Sequence, residues 1–583
     1  LNYLHHEKEL KMNSNKIGIS DIGIYIPSGR IKLDQLIRER VESSPKLARH
    51  LDRAAATTGQ RAIRFPSPWE DTATMAAQAA RDLLVRRGEA ELAGLRFLVA
   101  GTETTVDHSK PVSAYVQGML QRSGLEIPAS LSSFQVQHAC AGGTLSAVNV
   151  ASLLAVGNRD DEFGIVVASD IARYQPESTA EITQGAGAIS LLIEPGAKLI
   201  ELDLATVGYC SQDVDDFFRP LGSTVAQVKG RYSMQVYQQS LKSAFLDHCR
   251  RAGEDPKTLL KATDLFVLHT PFRNMPELAM KSLLDEHLGL SGSEAEAFLR
   301  QRGFFRGLDP IADIGNTYSA SMFLFLAFLL KDRFEALGED IVGKRILLAS
   351  YGSGNTMIVL SGTVAPMAPR VIESWDLERI FASACDAGMG DYEIWTAGPR
   401  APGDYAAILG SVQVPTGAFY LSGVREDGYR EYNYAADSQD WLPKAEEAAE
   451  PRRSVPAPVQ GPRVSRPAAP QLRSDALYGS RDPTLLQLPG QGGVVHLRRA
   501  VAQRSEQPPA LLAEEGARRV LGARGQDDQA PGPSGQAQVL EVAGPDGEAG
   551  QHGEVGLFHQ EGGLLHVLRR NALEGAHHPE GQP

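Results

Sequence analysis

The chain alternates two kinds of hydrophobic pattern. Short, apolar, β-rich runs at 97–101 (FLVAG), 163–169 (FGIVVAS), 265–270 (LFVLHT) and 346–350 (ILLAS) predict buried strands. Between them, residues 71–87 and 146–156 carry helical patterns. Alternation of this kind across 16–365 predicts an α/β body whose mixed or parallel sheets are covered by helices. The two halves echo each other. Each is expected to hold a buried strand, a turn of small residues and an apolar helix: ACAGG before 145–156, and IGN before 318–330.

Residues 366–436 keep Trp375, Trp395, Phe419 and Tyr420 and are expected to finish the globular unit. The pattern then changes abruptly. From 454 to 583 there is no Ile, Met, Cys, Trp or Lys, and Pro, Gly, Gln, Arg and Ala dominate. Such a segment buries too little apolar surface to offset its ordering entropy. Residues 437–583 therefore read as a disordered tail, either genuine and flexible or the non-native product of a displaced reading frame. Residues 1–15 read as an N-terminal extension, with Met12 as a natural start.

Composition narrows the class. A chain of 583 residues, 42% hydrophobic, affords a large core. The net charge of −13 argues against a general nucleic-acid binder, which needs a basic face. No apolar run is expected to reach the roughly 18–20 residues of a membrane span, and LNYLHHEKELKM lacks the apolar region of a signal peptide. Cys140, Cys210, Cys249 and Cys385 show no CxxC pairing, which suggests neither a zinc site nor a disulfide framework and fits the reducing cytoplasm. Neither a metal cluster nor a dinucleotide glycine motif stands out, so no cofactor is expected.

The sharpest local feature is HACAGGTLSAVNVASLLAVG at 138–157. Cys140 falls where an extended segment meets small residues and then a long apolar helix. A single cysteine is commonly a buried structural thiol. At a helix N-terminus, however, the macrodipole and free N–H groups lower a thiol's pKa and favour the nucleophilic thiolate. Gly142 and Gly143 are expected to let substrate approach the backbone closely.

The ordered motifs GTETTVDHSK (101–110), HACAGGT (138–144), ASDIARY (168–174), TQGAGA (183–188), DDFFRP (215–220), LHTPF (268–272), GNTYSAS (315–321), SYGSGN (350–355) and FYLSGVREDGYREY (419–432) resemble those of hydroxymethylglutaryl-CoA synthases. The resemblance covers about 16–434. It implies a thiolase-like layered αβαβα sandwich with two similar halves, divided here as 16–195, carrying Glu103 and Cys140, and 196–436, carrying His269 and Asn316. It also implies a homodimer, CoA thioester substrates with no further cofactor, and a cytoplasmic place in the mevalonate pathway of isoprenoid biosynthesis.

By the same resemblance Cys140 accepts an acetyl group from acetyl-CoA. Glu103, which alone would read as a solvated loop carboxylate, is the general acid/base that makes the acetyl methyl a nucleophile toward acetoacetyl-CoA. His269, otherwise a core histidine at a strand end, orients the acetoacetyl group and exchanges a proton with its oxygen. Asn316 hydrogen-bonds the acyl oxygen, and the loop of Ser353 joins Cys140 in an oxyanion hole. Tyr174, Thr183 and Ser233 line the substrate pocket, Asp216 holds the histidine network, and Gly143 supports the nucleophile turn. The family's lysine after the histidine motif is missing: the segment reads Phe272-Arg273-Asn274-Met275, and Arg273 is the nearest substitute. That departure leaves open an acyl carrier protein as acyl partner, in the chemistry of polyketide β-branching. A ketoacyl synthase III-like condensing enzyme, which does not call for Glu103 as base, and a catalytically lost scaffold are the remaining readings.

Overall fold

The computed structural model describes residues 16–398 and 401–436, together with five short strand segments between 485 and 568. The chain divides into two units, Leu1–Pro451 and Arg452–Pro583. In the second, Leu485–Leu486 pairs with Val495–His496, and Gln538–Val539, Leu557–Glu561 and Leu564–Leu568 form an antiparallel sheet. The expectations for 1–15 and for the rest of 437–583 fall outside the described residues.

A ten-stranded mixed sheet organises the first unit. Its strands in chain order are β1 (Ile17–Tyr25), β2 (Leu95–Gly101), β3 (Ser132–Val136), β4 (Phe163–Ala172), β5 (Gly185–Pro195), β6 (Ile200–Leu202), β7 (Gly208–Ser211), β8 (Leu265–Leu268), β9 (Arg345–Gly352) and β10 (Thr356–Val364). The order across the sheet is β8-β9-β10-β6-β1-β5-β4-β2-β3, with β7 also pairing β10. The four runs read as strands are β2, β4, β8 and β9.

The duplication is visible in the pairing. On one side β2 runs parallel to β4, β4 antiparallel to β5, and β5 antiparallel to β1. On the other, β8 runs parallel to β9, β9 antiparallel to β10, and β10 antiparallel to β7. β6 joins the halves by pairing with both β1 and β10. One repeat is incomplete. β3 extends the first half beyond β2, but 304–313, ahead of the Ile314-Gly315-Asn316 turn, are helical rather than the expected strand.

Six helices matter below: α1 (Thr72–Arg87), α2 (Val112–Arg122), α3 (Gly142–Gly157), α4 (Gly230–Ala252), α5 (Asn274–Leu288) and α6 (Ser321–Leu337). Period-2 alternation sorts the strands of the first half between two cores. Val99 of β2 and Val166 of β4 join the core that holds α3 and α6, whereas Leu98 and Val167 point to the core under α1 and α2. Asp71 starts α1 cleanly: its side chain accepts from Ala73 and Thr74 N–H, and Thr74 returns a bond to its backbone.

The helix of the nucleophile motif corrects one expectation. Ala139–Gly157 is long and apolar enough to cross a membrane by length and composition. Here it packs into the core instead, with Ala147, Val150, Ala151 and Leu154 buried. The C-terminal segment closes the unit: Phe419, Leu421 and Tyr432 pack into the α1–α2 core.

Candidate active site

Glu103 sits on the turn that follows β2, and a buried aspartate sets that turn. Asp170 lies within the otherwise apolar strand β4. One of its oxygens accepts from Thr102 Oγ1 (2.7 Å), Glu103 N (3.0 Å), Thr104 N (3.1 Å) and Thr104 Oγ1 (2.7 Å). The other accepts from the backbone N–H and hydroxyl of Ser319. This fan of donors satisfies a charge that would otherwise be costly to bury, and it fixes Glu103 relative to the second half of the fold.

Cys140 stands immediately before α3, whose N-cap is Ala141. Ala139 reaches it with φ +40, a left-handed conformation uncommon outside glycine that sharpens the turn. The neighbouring glycines serve packing rather than the expected approach of substrate. A Cβ on Gly143 would meet Ala168 Cβ at 2.8 Å and Ser319 O at 2.9 Å, and one on Gly142 would meet Val136 O at 3.0 Å. Strand β9 comes equally close, since a Cβ on Gly352 would lie 2.6 Å from His138 O. The nucleophile turn is thus wedged between β2, β4 and β9.

The thiol is buried in a cage of Ala172, Tyr174, Ala226 and Tyr318, flanked by Phe217. Its Sγ lies 3.9 Å from Glu103 Oε2. Burial, and after it the charge of Glu103, pushes the Cys140 thiol well up. This corrects the expectation of a lowered pKa: among apolar rings and carboxylates, desolvation outweighs the helix terminus. Glu103 is pushed up to about 7, also by burial, with Arg219 pulling the other way.

Arg219 is the main residue that the sequence motifs contained without disclosing its role. Its Nη2 donates to Glu103 Oε1 at 2.7 Å and its Nη1 to the Glu103 carbonyl at 2.8 Å. Its guanidinium lies 5.9 Å from the ring centre of Phe217 and 5.8 Å from that of Tyr318. Glu103 therefore has two neighbours of opposite kind, a cation on one oxygen and a thiol on the other.

His269 follows β8 directly and is buried; its N–H donates to Ala349 O at 2.8 Å. Burial lowers its pKa to about 3, so the ring is neutral. Nδ1 lies 2.7 Å from Ser321 Oγ, and that oxygen already accepts the Thr270 N–H at 3.2 Å. When the Ser321 hydroxyl donates to Nδ1, the ring proton sits on Nε2. Tyr237 donates to the His269 carbonyl at 2.9 Å and carries a raised pKa, from burial first and then from Cys140. Tyr237 is thus the residue that links the histidine to the sulfur's surroundings.

The remaining residues fall into two groups. Asn316 N–H donates to Thr183 O at 3.1 Å, and the Asn316 side-chain oxygen accepts from Tyr318 N at 2.9 Å. Tyr174 N–H donates to Gln184 Oε1 at 2.7 Å, next to Thr183. Asp216 forms the second group and reaches His269 only indirectly, since its partner Tyr351 packs against Tyr237 with ring centres 5.0 Å apart. It accepts from Ser233 Oγ (2.9 Å), Tyr351 Oη (2.7 Å) and Gly354 N (2.9 Å), and none of its hydrogen bonds goes to His269. Its side chain braces the loop of Ser353 instead. Arg273 is likewise not free to replace the missing lysine, because it is paired with Glu277 and Asp309. Asn274 donates to the Thr57 carbonyl at 3.0 Å.

A cleft of about 420 Å³ opens onto Glu103, Ala139 and Ser353 and runs beneath residues 217–224. It lies in the range of about 300–1,000 Å³ typical of small-molecule sites. Asp170, Arg219, Ser321 and Tyr237 were not singled out from sequence. Asp170 had a legible signal, a lone acid inside the apolar run FGIVVASDIA.

A doubled thiolase-like sheet with a buried cysteine and carboxylate at its centre defines an acyl-condensing transferase. Residues 13–198 match the family described as "Hydroxymethylglutaryl-coenzyme A synthase N terminal". The solved structure "MvaS in complex with 3-hydroxy-3-methylglutaryl coenzyme A" is 32% identical and superposes with a TM-score of 0.62 over 72% of this chain and 99% of its own. The hydroxymethylglutaryl-CoA synthase of Haloferax volcanii is 29% identical over 367 residues, 57% of this chain and 81% of that protein. A Bacillus subtilis protein described as "Polyketide biosynthesis 3-hydroxy-3-methylglutaryl-ACP synthase PksG" is 26% identical over 362 residues, 59% of this chain and 82% of its own length. The chain belongs to the hydroxymethylglutaryl-CoA synthase family.

Proposed function

We propose that the protein condenses acetyl-CoA with acetoacetyl-CoA through an acetyl-Cys140 intermediate. The 3.9 Å approach of Cys140 Sγ to a carboxylate whose pKa is raised to about 7 carries this reading. In the first step the sulfur attacks the acetyl carbonyl and its proton passes to Glu103, which returns a proton to the departing CoA thiolate. Glu103 then takes a proton from the acetyl methyl, and the resulting enolate carbon bonds to the ketone carbon of acetoacetyl-CoA. The ketone oxygen accepts a hydrogen bond from the neutral His269 Nε2–H, and the proton it gains as the carbon–carbon bond forms is the one Glu103 took from the methyl, which returns Glu103 to its carboxylate. Water finally cleaves the thioester to Cys140 and restores the thiol. Acyl transfer, proton transfer, addition and hydrolysis involve no net oxidation, so thioesters and water suffice as reactants. The oxyanion role of Asn316 and the Ser353 loop, and the pocket roles of Tyr174, Thr183 and Ser233, belong to the same reading.

The experiment is direct. Incubation with acetyl-CoA adds an acetyl mass to the wild type and none to Cys140→Ala, and adding acetoacetyl-CoA then yields hydroxymethylglutaryl-CoA. Absence of label on the wild type from both CoA and carrier donors overturns the proposal.

One observation favours a second reading of the acyl carrier. With Arg273 paired and Asn274 bonded to Thr57, the position of the family lysine offers no free cation. An acyl carrier protein as partner fits that loss, and turnover with acetyl-CoA against acetylated carrier decides between them. The proposal extends to a homodimer, to the cytoplasm and to the mevalonate route. The free thiols of Cys140, Cys210, Cys249 and Cys385 suit a reducing compartment.

A further inference from the structure

The cleft beyond Glu103 holds more cationic than anionic side chains. Its lining includes Arg173, Arg219 and Arg430 against Glu103 and Asp71. Arg219 is engaged with Glu103, and Arg430 with Asp71 and the Tyr405 hydroxyl. Arg173, at the end of β4 and next to Tyr174, has no hydrogen-bonded or ionic side-chain partner among the described residues.

Three buried donors around this cleft lack acceptors. They are Arg173 Nε and Arg219 Nε, on side chains that line it, and the indole Nε1 of Trp395, which lies outside the lining with the Arg173 guanidinium 5.3 Å from its ring centre. Burial lowers Arg173 to about 10, which leaves it charged at neutral pH. An unpaired buried cation is costly, and it becomes favourable once a carboxylate supplies the missing acceptors.

Position decides which carboxylate. Glu103 is part of the cleft's lining and its Oε2 lies 3.9 Å from the sulfur, so a substituent on the reacting ketone carbon has a way into the cleft. The phosphates of CoA or of a carrier sit at the far end of the pantetheine arm and are too distant. The ketone of acetoacetyl-CoA bears only a methyl group, which offers the three donors nothing.

We propose that this cleft is a subsite for the substituent on the acceptor's ketone carbon, and that Arg173 holds a carboxylate at the end of that substituent. The inference rests on the condensing reaction above and names its acceptor class, thioesters of 3-oxo dicarboxylic acids. The bond-forming step is unchanged: enolate carbon to ketone carbon, with a proton to the ketone oxygen.

The test compares 3-oxoadipyl-CoA with acetoacetyl-CoA as acceptors for the wild type, Arg173→Met and Arg173→Lys, each checked for folding by circular dichroism. The wild type is expected to turn over both. Arg173→Met lowers the ratio of kcat/KM for 3-oxoadipyl-CoA over acetoacetyl-CoA by about 10- to 100-fold, the loss of one charge-assisted contact, and Arg173→Lys recovers part of it. Wild type that uses acetoacetyl-CoA but rejects 3-oxoadipyl-CoA overturns the subsite and leaves the condensing reaction standing. So does an unchanged ratio in Arg173→Met. Failure with both acyl groups, presented on CoA and on carrier protein alike, overturns the condensing reaction and the subsite with it. Should Arg173→Met not fold, the ratio is read in the equally uncharged Arg173→Gln, and no change there overturns the subsite.

Discussion

At the residue scale the chemistry rests on how Glu103 is balanced between Arg219 and Cys140. Burial raises the carboxyl to about 7, and the guanidinium at 2.7 Å opposes that rise. Methyl deprotonation needs the carboxylate, so its rate rises with pH through about 7 and levels off above. Replacing Arg219 by Met removes the opposing cation while desolvation remains. The limb is then expected to move to higher pH by about one to three units, the usual effect of an opposite charge in contact. A pH profile of condensation that stays in place in Arg219→Met contradicts this balance. His269 contributes no limb near neutrality, because its pKa of about 3 keeps it uncharged throughout. Cys140 was legible by its own chemical signature at a turn, whereas Glu103 and His269 were legible only through the ordered motifs that contain them. Arg219 was hidden because its role depends on contact with Glu103, far along the chain; Asp170 showed as a lone acid in an apolar strand, but its partners on the Glu103 turn did not.

At the scale of elements, the doubled strand order explains how residues from both halves reach one centre. β2 brings Glu103 and the turn before α3 brings Cys140, while the second half supplies Arg219 to the carboxylate and Tyr318, after the Asn316 turn, to the cage of the thiol; His269 follows β8 and is tied to Tyr237. The strands were readable because their apolar runs are short and continuous, and α3 because small residues lead into a long apolar stretch. The missing strand before Asn316 was not readable, since IGN resembles the ACAGG turn in composition while the residues ahead of it form helix. The use of the glycines was also hidden, because a glycine's neighbours in space are absent from sequence. Gly101 shows their function: a Cβ there would lie 2.4 Å from Gly142 O and Gly143 N at the start of α3. Gly101→Ala is expected to displace the nucleophile turn and to cost about 1–3 kcal/mol of stability, as overpacking does. Thermal unfolding alongside the acetylation rate checks this, and a variant matching wild type in both contradicts it.

On the scale of the whole molecule, β3 at the end of the sheet pairs, among the described residues, only with β2. Its residues are exposed or only half-buried, unlike the fully buried β4 and β5. A sheet edge of this kind is a template for another strand, and it is where the proposed homodimer would add a second copy. Sedimentation is expected to give twice the chain mass of 62.9 kDa; a chain-sized species at micromolar concentration contradicts the homodimer. Fold class was legible from the alternation of elements. The joining of the halves through β6 was not, since a three-residue strand leaves almost no pattern.

The account depends most on Glu103 acting as the base that activates an acetyl group held on Cys140. Deuterium uptake into the methyl of the acetyl-enzyme, measured by mass spectrometry in heavy water without acceptor, isolates that step. Wild type is predicted to exchange the methyl protons, while Glu103→Ala still acetylates at Cys140 and exchanges about 10²- to 10⁴-fold more slowly. Equal exchange in both proteins, or an acetyl group carried elsewhere than Cys140, contradicts the account.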